Sequence, residues 1–193
     1  MKRTNKRDKL IKVGSKIVTL QGYKAASINE ILTAANVPKG SFYYYFSSKE
    51  DFGLAIIENL AWQYQNKLES FLQDEQFSPL SRLRNLFESK IADMENCQCT
   101  DGCSIGNLAQ ELSTQNELFR DRLNQIFTDW ERQFLICLTA AYRAGEIADD
   151  TNLQDLAKFI LSGWEGAILR AKVTKSVVPM KNFVTILFEH FLI

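Results

Sequence analysis

Two stretches of this chain hold side chains whose types and spacing could do chemistry. The first is KGSFYYYFSSK, residues 39–49, three consecutive phenols between two phenylalanines, with an ammonium group at either end. Phenol hydroxyls and lysine ammonium groups donate to phosphate oxygens, and tyrosine rings can meet base edges and thymine methyls in a duplex groove. The second is NCQCTDGC, residues 96–103, with thiols at Cys97, Cys99 and Cys103. Close thiols can form a disulfide, bind a soft metal, react with an electrophile, or sit inert. A reducing cytoplasm disfavours the disulfide. The C-x-C-x3-C spacing lacks a nearby fourth metal ligand, since His190 is the only histidine. Cys103 precedes an expected helix start, where the helix dipole favours a thiolate.

The phenols need a helix to aim them. Ser27 and Glu30 have the S-x-x-E spacing of a capping box, so the sequence predicts a helix from Ser27. Ile28, Ile31, Leu32 and Ala35 give it one apolar face. Asn36 suits its left-handed end, Val37 plugs the corner, and Pro38 suits the first turn of a second helix. There Phe42 and Phe46, four apart, face inward together. Lys39, Ser41, Tyr44 and Tyr45 are candidates for base edges, with Asn29 reaching from the preceding helix. Ser27 is either a phosphate donor or only a cap. A helix–turn–helix of this kind lies in a DNA major groove.

The run VPKGSFYYYFSSKEDF, with Gly22-Tyr23 before it, resembles the DNA-binding signature of the tetracycline-repressor (TetR/AcrR) family. That resemblance implies a helix–turn–helix head over about the first quarter of the chain and a divergent helical ligand domain after it. It also implies a homodimer on a pseudo-palindromic operator, and Tyr43 and Lys49 match family positions that hold backbone phosphates, fixing register without reading sequence.

Charge is divided in the same way. Residues 1–50 hold ten Lys/Arg against three Asp/Glu, and residues 51–193 hold thirteen against twenty, so a balance of +7 faces one of −7. A phosphate-binding head on an acidic body accounts for this better than plain solvated faces. Residues 1–8, with Lys2, Arg3, Lys6 and Arg7, read as a basic arm or a solubilising tail. No apolar run is long enough for a membrane span, and the basic start lacks the apolar stretch of a secretory signal. A cytoplasmic protein is expected.

With three prolines, nine glycines and good helix formers throughout, the expected fold class is all-α: a three-helix head over residues 1–48 and a helical ligand-binding and dimerisation body over 49–193. Leu10, Val13, Ile17 and Leu20 predict the first helix's core stripe. Ser48 with Asp51 opens a long helix over 49–72, with Trp62, Tyr64 and Leu68 deep. Further helices are expected from Pro79, Ser104, Thr114, Thr151 and Pro179. Ser162, Gly163, Gly166, Ala167 and Ala171 form a small-residue strip, and with the apolar terminus Phe191-Leu192-Ile193 they suggest a two-fold interface through the last two helices.

A narrower resemblance concerns the body. Gly102-Cys103, Gly106-Asn107-Leu108, Trp164-Glu165-Gly166-Ala167 and Lys172 are similar to the subgroup that responds to reactive electrophiles or small unsaturated acids. Cys103 and Lys172 match positions its electrophile-sensing members use; Cys97 and Cys99 match none. Asn107, Glu111, Glu165 and Arg170, polar amid apolar neighbours, are further ligand candidates. Trp62, Phe87, Phe119, Phe127, Trp130 and Trp164 line either a cavity or plain core. No Ser/His/Asp set and no Gly-rich phosphate loop is present. The expected protein is therefore a DNA-binding repressor without a cofactor, released by a small ligand or by thiol modification. The alternatives are a metal-responsive repressor using Cys97, Cys99 and Cys103, or a thiol- or metal-dependent enzyme.

Overall fold

A computed structural model describes residues 6–148 and 152–192. The fold is all-α: α1 (Lys6–Gln21), α2 (Ile28–Ala34), α3 (Phe42–Tyr45), α4 (Lys49–Leu72), α5 (Pro79–Asn96), α6 (Ser104–Leu112), α7 (Glu117–Arg143), α8 (Leu153–Thr174) and α9 (Val178–Ile186). A 3-10 turn, Lys39–Ser41, leads into α3, and a wider π turn, Leu187–Phe191, follows α9. The chain forms two compact units: Met1–Gln63 with Ser104–Leu123, and Tyr64–Cys103 with Asn124–Ile193. Among the described residues no helix is long and apolar enough to cross a membrane.

Several boundaries follow from local chemistry. The Ser27 side chain accepts the Glu30 N–H at 3.1 Å and starts α2. Asp51 N–H donates to Ser48 Oγ at 3.0 Å, while Asp51 accepts the Ser47 N–H at 2.8 Å, so the start of α4 is capped from both sides. Gly145, at φ +73°, ends α7. Two caps differ from expectation. Asn116, not Thr114, caps α7, its Oδ1 accepting the Phe119 N–H at 2.9 Å. Asn152 accepts the Asp155 N–H at 3.2 Å and caps α8; Thr151 lies outside the described residues.

In the first unit, α1 buries Leu10, Ile11, Gly14, Ser15 and Val18. That face is offset from the predicted stripe, and Leu20 is exposed. The reason is steric: a Cβ at Gly14 would stand 2.5 Å from the Phe52 ring, so α1 and α4 meet along the glycine's side. Lys6 and Arg7 belong to α1 rather than to an arm, and the Arg7 guanidinium lies 5.2 Å from the centre of the Phe46 ring. Lys2 and Arg3 lie outside the described residues. Trp62, expected deep, is 65% exposed and borders a cleft with Arg7, Asp8 and Asn59.

The second unit packs α5, most of α7, α8 and α9 around Phe87, Phe134 and Trp164, all fully enclosed. The Trp164 ring lies 4.5 Å from that of Phe87 and 5.7 Å from that of Phe183. The small-residue strip of α8 is divided. Gly163 makes room for Phe183 and Ala171 is buried, whereas Ser162 and Gly166 are exposed.

Candidate functional site

α3 is a single turn, too short to be stable by itself. It is held from behind by Phe42 and Phe46, whose rings lie 5.4 Å and 4.7 Å from that of Phe52. Asn36, at φ 50°, turns the chain out of α2, and the Val37 N–H closes the corner on the Leu32 carbonyl at 3.0 Å. With its back anchored, the segment turns Tyr43 and Tyr44 outward, 71% and 83% exposed. Two adjacent exposed phenols offer a surface that a partner can cover. Tyr45 is half-buried, its ring edge-on to Tyr44 at 4.9 Å. Lys39, Asn29 and Ser27 are exposed, and Ser41 and Lys49 half-buried. Ser27 Oγ accepts a backbone N–H, which leaves its own proton for another acceptor.

The second candidate site lies in the other unit. After α5 the backbone takes left-handed conformations at Gln98, Cys99 and Gly102 (φ 52°, 55° and 78°). Lys90 Nζ donates to the Gly102 carbonyl at 2.9 Å. The stem of Lys172 fills the place where a Cβ at residue 102 would stand, Cδ being 2.6 Å away, and the left-handed backbone there favours glycine. Cys103 is buried, and its thiol is hydrogen-bonded to the Glu165 carboxylate. Burial raises the Glu165 carboxyl above its ordinary range, against the opposing effects of that hydrogen bond and of the Lys90 charge. Burial also pushes the Tyr64 phenol well up, with Cys103 and Glu165 adding to the shift. The Tyr64 ring packs on Trp130 at 4.2 Å. A thiol donating to a half-buried carboxylate whose proton affinity is raised can hand over its proton as sulfur attacks.

Of the residues nominated from sequence, Cys103, Glu165 and Lys172 come together here. Tyr64 and Lys90 complete the cluster, and only its place beside an apolar stripe marks Lys90 in the sequence. Trp130 and Trp164 are core, each 1% exposed. Arg170 is exposed and Asn107 half-buried. Glu111 lies in the first unit, where it accepts two backbone N–H groups. Cys137 is a core thiol, pushed up to about 11 by burial, with Sγ 3.2 Å from the Pro79 carbonyl.

The metal-responsive alternative is not supported. Among the described residues no three His, Cys, Asp or Glu side chains converge to hold an ion. The three thiols are spent differently: Cys97 Sγ faces the Met94 carbonyl at 3.5 Å, Cys99 is buried, and Cys103 engages Glu165.

Two family models match the chain: bacterial regulatory proteins of the tetR family over residues 10–56, and the tetracyclin repressor-like C-terminal domain over residues 79–187. The chain is 35% identical to the HTH-type transcriptional repressor DhaR of Mycobacterium sp. (strain GP1), covering 100% of this chain and 95% of that one. A crystal structure of a regulatory protein TetR from Rhodobacter sphaeroides is similar with a TM-score of 0.88 at 37% identity, covering 95% of this chain and 97% of the other. Reduced Escherichia coli NemR gives 0.87 at 26% identity, over 93% of each chain.

Proposed function

We propose, starting from the fact that this chain belongs to the tetR family and is a DNA-binding transcriptional repressor, that it leaves its operator when Cys103 is modified by a small electrophile. The thiol–carboxylate pair of Cys103 and Glu165, flanked by Lys90, Lys172 and Tyr64, carries this proposal. The sulfur adds to the β-carbon of an unsaturated carbonyl compound, forming the S–C bond while the C=C pair moves onto the carbonyl as an enolate. The thiol proton passes to the Glu165 carboxylate and then to the α-carbon. A cation at Lys90 or Lys172 would steady the enolate or an acid group of the inducer. That one relative is known in a reduced form agrees with a thiol as sensor.

On the DNA side, residues 1–48 form the operator-binding part and 49–193 the ligand-binding and dimerising part. Tyr43, Lys49 and Ser27 take backbone phosphates, and Lys39, Ser41, Tyr44, Tyr45 and Asn29 take base edges. Two copies join through α8, α9 and the π turn that follows, where Phe159, Leu169, Val173, Val178, Ile186 and Phe191 are exposed. The pair would present its two recognition segments one duplex turn apart (about 34 Å) or a multiple of it. The work is binding rather than turnover, and operator DNA puts it in the cytoplasm.

The test is operator binding with and without a quinone or an unsaturated aldehyde, for the native protein and Cys103→Ser. Release of the native protein and retention of the variant is the expected result. Equal release of both would replace the thiol step by a reversibly bound ligand. A salt titration without a steep loss of affinity would count against groove binding altogether.

A further inference from the structure

By sequence Glu111 is a ligand candidate, but its carboxylate is committed to the turn that follows α1. Gly22 takes φ +86° and reverses the chain, leaving the next two backbone N–H groups pointing the same way. Glu111 spans them, Oε2 accepting from Tyr23 N–H at 2.9 Å and Oε1 from Lys24 N–H at 2.7 Å. Two backbone donors on one carboxylate make charge-assisted hydrogen bonds of the stronger kind.

The same turn then reaches α4. Tyr23 Oη donates to the Lys49 carbonyl at 2.9 Å, and the Lys49 ammonium lies 4.8 Å from the Tyr23 ring centre and 3.4 Å from the Lys24 carbonyl. Tyr23 is wedged between Gly53, where a Cβ would stand 2.6 Å from its ring, and Phe119, edge-on at 5.2 Å. Its phenol, pushed up to about 12 first by burial and then by Glu50 and Glu111, remains a hydrogen-bond donor at any working pH. Glu50, next to Lys49, accepts from Asn116 Nδ2 at 2.7 Å.

We infer that Glu111 is a positioning residue for DNA binding: by clasping the backbone of Tyr23 and Lys24 it sets the place of the Lys49 ammonium that meets the operator's phosphate backbone. The inference rests on the assignment of Lys49 as a phosphate contact, made above. Because the contact is to phosphate, loss of the clasp weakens every sequence alike and leaves base preference intact.

The experiment measures affinity for operator and for unrelated duplex with Glu111→Ala, Glu111→Gln, Lys49→Ala and the Glu111→Ala/Lys49→Ala pair. Glu111→Ala should bind both duplexes about tenfold to a hundredfold more weakly, the scale of losing hydrogen bonds to a charged group. In the Lys49→Ala background the further loss should fall below about threefold, because both changes remove one contact. Formate, at ionic strength matched with chloride, should restore part of the affinity of Glu111→Ala and none of that of Lys49→Ala, since it can reoccupy the two N–H groups. Glu111→Gln keeps one acceptor and should fall between; it carries the test if the alanine variant does not fold. Native affinity in Glu111→Gln and Glu111→Ala, full additivity with Lys49→Ala, or a loss confined to the operator would each overturn the inference. Native affinity in Lys49→Ala alone would instead remove the phosphate assignment on which it rests.

Discussion

Replacing Phe42 with alanine asks whether the recognition segment keeps its shape by packing rather than by its own helicity. α3 runs only from Phe42 to Tyr45, whereas isolated helices need roughly 12–15 residues to be even marginal. The Phe42 ring is 0% exposed, with the rings of Tyr43, Phe46 and Phe52 at 5.3, 5.5 and 5.4 Å. Truncating such a ring costs about 3–5 kcal/mol in transfer and cavity terms. The lower end suits a one-turn segment that can partly collapse, and about 3 kcal/mol is a little over a hundredfold in an equilibrium constant. Binding must then reorder the segment, so operator affinity should fall by about that factor. Phe42→Leu keeps most of the volume and should cost under about 1.5 kcal/mol, or about tenfold. The assay is fluorescence anisotropy at fixed salt, on a duplex found by footprinting the DNA beside the gene. Native-state hydrogen exchange would follow the Phe46 amide, which donates to the Phe42 carbonyl at 3.0 Å. Affinity of Phe42→Ala within threefold of native, with Phe46 protection unchanged, would refute the reasoning.

Tyr44→Ala should relax base preference in a selection from randomised duplexes. Lys49→Ala should lower affinity for all sequences and reduce the salt slope by about 0.9, one phosphate's worth. The raised Glu165 carboxyl makes the folded chain keep a proton that the unfolded chain has lost. Native stability should therefore fall as pH rises from the ordinary glutamate value, about 4.3, to the raised one. Glu165→Gln removes that slope, so its thermal midpoint should gain on the native protein across this window; a difference flat with pH would refute the burial account. Val173→Glu with Ile186→Glu, at positions 67% and 49% exposed, should give a monomer in sedimentation while leaving helix content unchanged. A persistent dimer would move the interface elsewhere.

Much of the fold was legible because it is decided within a few residues. The caps at Ser27 and Ser48, the left-handed Asn36 and the stops at Gly22 and Gly145 each act on their own neighbours. The failures come from choices between neighbours and from tertiary contact. Thr114 and Asn116 are both plausible caps, and only the placing of Glu50, whose carboxylate takes Asn116 Nδ2, favours the asparagine. Leu20 and Trp62 read as core by periodicity, yet helix faces are decided by what packs opposite, here Phe52 against Gly14. The thiol site was half legible. Cys103, Glu165 and Lys172 were marked by residue type and resemblance, but nothing local ties Tyr64 or Lys90 to them. Glu111 reads from its apolar surroundings as a ligand candidate, and its backbone partners are invisible in the sequence, because a carboxylate satisfied by backbone N–H groups leaves no mark on the side chains it serves.

The first compact unit is closed by Ser104–Leu123, a stretch that follows Gln63 only after the intervening chain has been made. At synthesis rates of about 5–20 residues per second, residues 64–123 emerge roughly 3–12 s later. During that interval a nascent head has neither Phe119 against Tyr23 nor Glu111 beneath its turn. A growing chain thus presents its phenols well before the contacts that close the unit around Tyr23 can form. It also exposes the Gly53 side of α4 to chaperones and proteases, so a truncation between residues 63 and 111 should yield a degraded fragment rather than a miniature DNA binder.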